Sequence, residues 1–281
     1  MASRPVVIVV DSTLDVPASV AVDLGIQIVP LNVQFGDETF LDQVEMSSDE
    51  FVQRLKTSAE LPKSSQPAPA RFEEAFRAAS ESGHDILCVT LSTELSGTFN
   101  SARLAAEGFD PERVRVIDSR SVSLGGGFIA IAAARAVQGG ASLADAAALA
   151  ESTPPRIAVY AALDTLEFLH RGGRIGRASA LVGSLLSIKP IVQIRDGQVQ
   201  PVERVRTWRK ALDRLATLAG EHAPAEYLGV MHVGNLPDAE RLAQRIAPVV
   251  TSGDVLLGQL GPVVATYGGP GLVGFVVVEQ A

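Results

Sequence analysis

Short, continuously apolar runs separate helix-like segments along the first half of the chain. Residues 6–10, 85–91 and 114–117 are apolar at nearly every position, which is typical of strands buried on both faces of a parallel sheet. A further strand is predicted over residues 26–33, and the strands of the three apolar runs end at polar residues, Asp11, Thr90 and Asp118. Because the carboxyl ends of parallel strands lie at one edge of a sheet, and ligands of such folds bind there, we expect a polar site at this edge.

The pattern changes after Thr153-Pro154-Pro155, where two prolines interrupt two helical signals. Beyond them the sequence predicts a strand over residues 157–163, a short helix over residues 181–186 and a hairpin turned at Asp196-Gly197. Further elements are predicted over residues 208–218, 227–233 and 239–250, followed by three short terminal strands. We therefore predict an α/β fold of two domains, a parallel-sheet domain over residues 1–153 and a mixed-sheet domain over residues 154–281.

Hydroxyl-bearing residues cluster at predicted helix starts. Ser47 and Glu50 have the spacing of a capping box, and residues 63–69 form a polar segment ahead of the next helix. The stretch TELSGTFNSARLA, residues 93–105, follows a buried strand and predicts a helix beginning near Phe99. Such a junction directs backbone N–H groups and hydroxyls to one spot and favours an anion. Ser64, Ser65 and Ser96 are equally typical of helix caps.

Composition narrows the classes of partner. Hydrophobic residues make up 47% of the 281 residues but aromatic residues only 5%, which suits an aliphatic cavity better than base stacking. A net charge of −8 argues against nucleic acid or an anionic membrane as the main partner. The single cysteine, Cys88, excludes an internal disulfide and fits a cytoplasmic protein. Glycines and prolines break the uncharged stretch 255–278 into strand-length pieces, so we expect no membrane span.

Motifs for several kinds of chemistry are absent from the sequence. There is no G-x-x-x-x-G-K-[ST], no dinucleotide fingerprint, no G-x-S-x-G and no histidine spacing typical of a metal site. None of the four histidines has a distinctive partner motif. Hydroxyls and glycines without a base remain, which can bind an anion but need no proton chemistry. We therefore expect no catalytic residues, no metal and no cofactor.

Seven short motifs together resemble a known family, in order and in spacing, from Val6 to the C-terminus. They are Asp11-Ser12-Thr13, Ser64-Ser65-Gln66-Pro67, Leu95-Ser96-Gly97-Thr98 with Ser101-Ala102, Gly172-Gly173-Arg174-Ile175, Ile188-Lys189-Pro190, Val205-Arg206-Thr207 and Gly269-Pro270-Gly271. They are similar to the motifs of the DegV family, bacterial fatty-acid-binding proteins that include the FakB subunits of fatty acid kinase.

The resemblance implies an N-terminal α/β/α domain, a C-terminal α/β domain with a mixed sheet, and a long-chain fatty acid bound between them, its carboxylate held by hydroxyls and an imidazole. Ser64 stands where the family usually has threonine and Ser96 where it has the carboxylate-binding serine. The full set of candidate ligand-binding residues is Ser64, Ser65, Ser96, Gly97, Thr98, Tyr267 and Gly269. Arg174 and Arg206 match arginines that dock to the kinase catalytic subunit in kinase-linked members.

One residue departs from the family pattern. Tyr267 stands two residues before Gly269, where the family usually has histidine. A phenol still donates a hydrogen bond to a carboxylate, but it is neutral near pH 7 and bulkier than imidazole. The resemblance therefore implies a non-catalytic carrier whose head-group affinity or acyl preference differs from that of relatives with histidine.

Three other interpretations remain open at this stage. The chain could be a small-molecule phosphotransferase or hydrolase with Asp11 or Asp118 as base, although both aspartates are also typical of caps and turns. It could be a lipid sensor that has no kinase partner. The basic residues after the boundary could be no more than a solvated surface; they are Arg171, Arg174, Arg177 and Arg206.

Overall fold

A computed structural model describes residues 4–58, 60–181, 188–251 and 255–281. Its strands are β1 (Val6–Asp11), β2 (Gln27–Val29), β3 (Asn32–Phe35), β4 (Glu38–Leu41), β5 (Lys63–Ser65), β6 (Asp85–Thr90), β7 (Val114–Asp118), β8 (Ile157–Ala162), β9 (Lys189–Arg195), β10 (Gln198–Val205), β11 (Ala225–His232), β12 (Leu256–Gln259) and β13 (Val273–Glu279). Its α-helices are α1 (Ala18–Leu24), α2 (Ser48–Thr57), α3 (Pro69–Glu81), α4 (Thr98–Ala106), α5 (Leu124–Gln138), α6 (Leu143–Ser152), α7 (Glu167–Arg171), α8 (Trp208–Gly220), α9 (Leu236–Ile246) and α10 (Pro262–Gly268).

The chain divides into two units, and each is built from separate pieces of sequence. The first unit comprises Met1–Asn32 and Ser65–Pro155, and the second comprises Val33–Ser64 and Arg156–Ala281. The prediction of one boundary, with domains 1–153 and 154–281, differs from this division at residues 33–64 and, by two residues, at the proline pair.

A parallel sheet in the order β2-β1-β6-β7 organises the first unit. Alternate residues of its strands face opposite sides. Val9, Ile86 and Cys88 pack with Phe72 and Phe76 of α3, while Ile8 and Leu87 of the same strands are also buried. Because both sides of the central strands are covered, their sequences are continuously apolar, and the polar residues at their carboxyl ends lie at one edge as predicted.

A six-stranded mixed sheet in the order β10-β9-β8-β13-β11-β12 organises the second unit. Its pairs are antiparallel except β11 with β12. The predicted hairpin is present between β9 and β10, with Asp196 at φ 53° and Gly197 at φ 77° in the turn. Two successive positive φ values are the requirement of a type I′ turn, which explains the Asp-Gly pair.

The segment Val33–Ser64 contributes a three-stranded sheet, in the order β4-β3-β5, and helix α2 to the second unit. Phe35 and Phe51 pack with ring centroids 5.5 Å apart, and the Arg54 guanidinium lies over the Phe35 ring. Val52 of α2 contacts the position of Gly234 so closely that a Cβ there would lie 2.9 Å from it. The contact of Val52 with Gly234, and the hydrogen bond from the Val263 N–H to Asp42 Oδ1 at 3.3 Å, join the segment to residues beyond 155.

Two local predictions turn out differently. Residues 262–268 form α10 rather than one of three terminal strands, because Pro262 occupies the first turn of a helix, where its missing N–H is not needed. The single strand expected over residues 26–33 is divided at Pro30 into β2 and β3. The helix predicted over residues 181–186 falls, beyond Leu181, outside the described residues.

Within the part of the chain that the structure describes, no helix combines the length and apolar character needed to cross a membrane.

Candidate functional site

Two of the predicted ligand-binding hydroxyls meet in the second unit. Ser64 lies on β5 and Tyr267 near the end of α10, 203 residues later, and their hydroxyl oxygens are 2.7 Å apart. Both side chains line a pocket of about 360 Å³ whose other described lining residues are Leu61, Pro62, Lys63, Phe168, Arg171, Gly172, Arg174 and Thr266. The structure therefore brings Ser64 and Tyr267 together in a concave, partly apolar site.

Tyr267 is held on two sides of its ring. On one side lies Gly172, where a Cβ would be only 2.5 Å from Cδ1 and 2.6 Å from Cε1 of the tyrosine. The Arg174 guanidinium lies over the ring, 5.0 Å from its centroid, and donates to the Gly172 carbonyl oxygen at 2.8 Å. Glycine is required at 172 for space rather than for an unusual dihedral angle, since its φ is −75°. The cation–π contact stabilises the same ring position.

The turn after α10 fixes where that helix ends. Gly269 and Gly271 have φ values of 74° and 85°, a conformation that disfavours other residues. A Cβ on Gly269 would collide with the ring of Phe168, which itself lines the pocket. Gly269 N–H donates to the Ala265 carbonyl oxygen at 2.9 Å. Gly269, one of the predicted site residues, therefore ends α10 two residues after Tyr267 and packs against Phe168.

Two further predicted hydroxyls, those of Ser96 and Thr98, lie in the first unit at the start of α4. Ser96 Oγ accepts from the Thr98 N–H at 3.3 Å and lies 2.9 Å from Thr98 Oγ1. Gly97 is the N-cap residue, and a Cβ on it would overlap the Gln66 side chain, which donates to Ser101 Oγ at 3.1 Å. These residues of the two family motifs therefore contact each other, as one polar cluster.

The interpretation of Ser64 and Ser65 as helix caps is wrong. Both residues lie on β5, while α3 begins at Pro69 with Ala68 as its N-cap. Ser64 bonds to Tyr267, and Ser65 Oγ accepts from Asn32 Nδ2 at 3.2 Å. Ser96 does bond to a backbone N–H at the start of α4, so a local structural role coexists with its candidate role.

The two aspartates considered as bases have structural partners at both carboxylate oxygens. Asp11 is fully buried; one oxygen accepts from Thr13 and the other from the Leu91 N–H at 2.7 Å. Burial outweighs these hydrogen bonds and raises the pKa of Asp11 to about 6. Asp118 accepts from the Arg120 N–H at 2.8 Å and from Thr93 Oγ1 at 2.7 Å. Both carboxylates therefore hold loops at the sheet edge, which is the cap-and-turn interpretation.

The two candidate docking arginines have different surroundings. Arg174 is partly buried against Tyr267, so it belongs to the pocket. Arg206 is exposed, between the end of β10 and Thr207, whose side chain caps α8. Lys63 and Arg171 also line the pocket and were not predicted as part of it, because nothing in the local sequence shows that β5 and α7 lie on the same pocket.

Metal chemistry has no candidate site in residues 4–58, 60–181, 188–251 and 255–281, where no cluster of three or more histidine, cysteine, aspartate or glutamate side chains could hold an ion.

Fold and site together define a two-unit α/β protein with a hydroxyl-containing, positively charged pocket. The sequence model of the DegV family matches residues 5–280, and the chain belongs to that family. A DegV domain-containing protein of Streptomyces coelicolor is 39% identical over 283 residues, which cover 99% of this chain and 100% of the relative.

Solved structures of the family have the same fold. A DegV family protein from Thermus thermophilus, described by its fatty acid binding, is 33% identical with a TM-score of 0.91. The match covers 98% of this chain and 100% of the Thermus thermophilus chain. DegV of Bacillus subtilis, described as a fatty acid binding protein, is 29% identical with a TM-score of 0.87. The match covers 99% of this chain and 100% of the Bacillus subtilis chain. The predicted family and fold class, with a parallel-sheet part and a mixed-sheet part, are confirmed.

Proposed function

We propose that this chain binds a long-chain fatty acid in an apolar cavity and holds its carboxylate with hydroxyl donors, acting in the cytoplasm as a non-catalytic carrier. The observation that carries the proposal is the 2.7 Å contact between Ser64 and Tyr267 in a pocket of a chain whose structural relatives bind fatty acids. Ser96 and Thr98 are further proposed donors, on the ground of the family resemblance rather than of a distance.

The hydroxyl pair suits an anion for a simple reason. When two hydroxyls share one hydrogen bond, one O–H donates to the other, and the second O–H keeps its hydrogen for a third group. A carboxylate accepts that hydrogen and polarises both bonds, which strengthens the chain of donors. The Ser64–Tyr267 pair therefore supplies the donor that histidine supplies in the family pattern, without carrying a positive charge.

The charge of the pocket supports the same ligand. Lys63, Arg171 and Arg174 line it, and none of its described lining residues is acidic. Arg171 is paired with Glu167 at 3.1 Å, and the Arg174 guanidinium lies over the Tyr267 ring. A negative head group is favoured here over a neutral one.

The energetics are those of a carrier. Burying about fourteen methylenes contributes roughly 11 kcal/mol at ~0.8 kcal/mol each, before association costs of several kcal/mol. Desolvating an unpaired carboxylate would cancel much of that gain. Bonds to a charged acceptor are worth about 1.5 to 3 kcal/mol each, so two or three hydroxyl donors offset the desolvation.

A binding experiment tests the proposal. Native mass spectrometry of the purified chain is expected to show a bound acyl species or uptake of added palmitate or oleate. Ser64→Ala and Tyr267→Phe should each weaken palmitate binding about tenfold to hundredfold, the ratio for one bond of about 1.5 to 3 kcal/mol to a charged group. The control is Ser152→Ala, whose hydroxyl bonds only the Leu149 carbonyl oxygen among its described contacts. Failure of the wild-type chain to take up either fatty acid would reject the proposal.

Presentation of the carboxylate to a fatty acid kinase subunit is the second part of the proposal. It is supported by the match of Arg174 and Arg206 to arginines that dock to the kinase in kinase-linked members of the family. Capture of a kinase subunit by the loaded chain should be reduced by Arg206→Ala, which is exposed and outside the pocket. Arg174→Ala should reduce capture and fatty acid binding together. Fatty acid binding without any capture would favour a lipid sensor instead.

A further inference from the structure

Asn235 begins helix α9 but does not cap it. The residue is in the N-cap position, where an asparagine side chain usually accepts from the N–H groups of the first turn, yet it makes no such bond. The side chain instead bonds to groups outside the first turn of α9.

That engagement is with the turn that follows α10. Asn235 Nδ2 donates to the Gly271 carbonyl oxygen at 3.3 Å and to Asp238 Oδ2 at 3.2 Å. Both neighbours can only accept, so the amide nitrogen rather than its oxygen must face them. The side chain therefore uses both of its N–H donors to join the start of α9 to the glycine turn.

Asp238 and Trp208 hold Asn235 in place. Trp208 Nε1, from α8, donates to Asp238 Oδ2 at 2.7 Å, and Arg241 donates to Oδ1 at 2.9 Å. The Asn235 N–H donates to His232 Nδ1 at 3.2 Å. Burial lowers the pKa of His232, which favours the neutral ring that this acceptor role requires.

The glycine turn follows directly on α10, the helix that carries Tyr267. The backbone of the turn is bonded to Val233, the residue after β11: Gly271 N–H donates to the Val233 carbonyl oxygen at 2.9 Å, and Val233 N–H donates to the Leu272 carbonyl oxygen at 3.0 Å. The Asn235 amide adds a side-chain hydrogen bond, to the Gly271 carbonyl oxygen, to these backbone bonds. It reaches the turn four residues after Tyr267.

We infer that Asn235 is a positioning residue for Tyr267: it holds the Gly271 carbonyl, and the bond of Trp208 to Asp238 holds the amide. Losing the amide leaves the turn held by its backbone hydrogen bonds alone and loosens the contact of Tyr267 with Ser64. The consequence for fatty acid retention rests on the function proposed above, whereas the consequence for Tyr267 does not require a ligand.

The test uses two variants of the full chain. Asn235→Ser can cap α9 but ends one bond short of the Nδ2 position; Asn235→Asp keeps the shape and removes both N–H donors. Ser47→Ala is the matched control, because it removes the cap of α2 in the same unit without touching the turn. Urea unfolding should show Asn235→Ser at least as stable as the wild type and Ser47→Ala less stable.

Release of cis-parinaric acid, a fluorescent fatty acid, is the first readout. Asn235→Ser and Asn235→Asp should release it about fivefold faster than the wild type, the ratio for one hydrogen bond of about 1 kcal/mol. Ser47→Ala should release it at the wild-type rate. Release at the wild-type rate from both Asn235 variants, or equal acceleration in Ser47→Ala, would overturn the inference.

Fluorine NMR on ligand-free protein is the second readout. With 3-fluorotyrosine, the chain gives signals from Tyr160, Tyr227 and Tyr267, assigned by substituting each with phenylalanine. The Asn235 variants should shift or broaden the Tyr267 signal and leave the other two unchanged. If the wild-type chain takes up no cis-parinaric acid, the proposed function fails on that result alone, and an unchanged Tyr267 signal would then separately refute the positioning role.

Discussion

Gly172→Ala is expected to weaken fatty acid binding by displacing Tyr267. The new Cβ would lie 2.5 and 2.6 Å from two ring carbons, about 1 Å closer than an ordinary carbon–carbon contact of about 3.5 Å. The Gly172 backbone is part of a helix end, so the ring has to move. A shift of about 1 Å takes a hydroxyl from 2.7 Å to beyond hydrogen-bond range of Ser64.

The size of the effect follows from the hydrogen bond that the displaced hydroxyl pair no longer donates to the fatty acid carboxylate. A hydrogen bond to a charged group is worth about 1.5 to 3 kcal/mol, so the dissociation constant for palmitate should rise about tenfold to hundredfold. Separately, overpacking at the ring should lower the free energy of unfolding by roughly 1 to 3 kcal/mol. Isothermal titration with palmitate gives the first quantity, and urea unfolding of ligand-free protein gives the second.

The adjacent residue supplies the control. Gly173 has φ 70°, but a Cβ there would meet nothing within 4 Å. Gly173→Ala should therefore cost about 1 kcal/mol of stability through backbone strain alone and leave palmitate affinity unchanged. In a Tyr267→Ala background, Gly172→Ala should cost no further affinity, because the ring it collides with is gone. Wild-type affinity in a folded Gly172→Ala protein, or equal losses in the two glycine variants, would refute the reasoning.

Three other outcomes are expected. Burial raises the pKa of Asp11 from 3.8 to about 6, so ionising this carboxyl is less favourable in the folded than in the unfolded state. As the pH rises from about 4 to about 6, the free energy of unfolding should therefore fall by about 3 kcal/mol relative to that of Asp11→Asn. A difference between the two proteins that does not change with pH in urea titrations would contradict this. The fully buried Cys88 thiol, whose pKa burial raises, should react with a disulfide reagent only when the protein opens, so rapid stoichiometric labelling of native protein would argue against its placement. Ser142→Ala should cost about 1 kcal/mol by removing the capping box of α6, measured by urea unfolding, and a loss below a few tenths would show that the box contributes little.

The parts of the fold that local sequence could predict are those with a local cause. The strand ending at Asp11 is continuously apolar because both of its faces are covered, and the Asp196-Gly197 turn needs two residues that tolerate positive φ. Ser47 and Glu50 form the predicted capping box because both partners lie within one helical turn.

The parts that could not be predicted depend on distant partners. Strand β5 has only three residues, and its strand conformation is set by pairing in the sheet with β3, so Ser64 could not be distinguished from a helix cap. Helix α10 contains three β-branched residues and a glycine, which favour strands and turns, and Pro262 after Gly261 was the signal that a helix begins there. Tyr267 was found through the family motif, but its packing on Gly172 joins positions 95 residues apart, so no local pattern shows it.

The division of the chain has a consequence for taking this protein apart. The backbone passes from one unit to the other at residues 32–33, 64–65 and 155–156. A cut at the proline pair near 154 would leave a C-terminal fragment that keeps Tyr267 but has lost Ser64, together with β3 to β5 and α2. Transplanting the hydroxyl pair into another protein, or exchanging it by recombination, therefore requires two separate stretches of sequence to be transferred together.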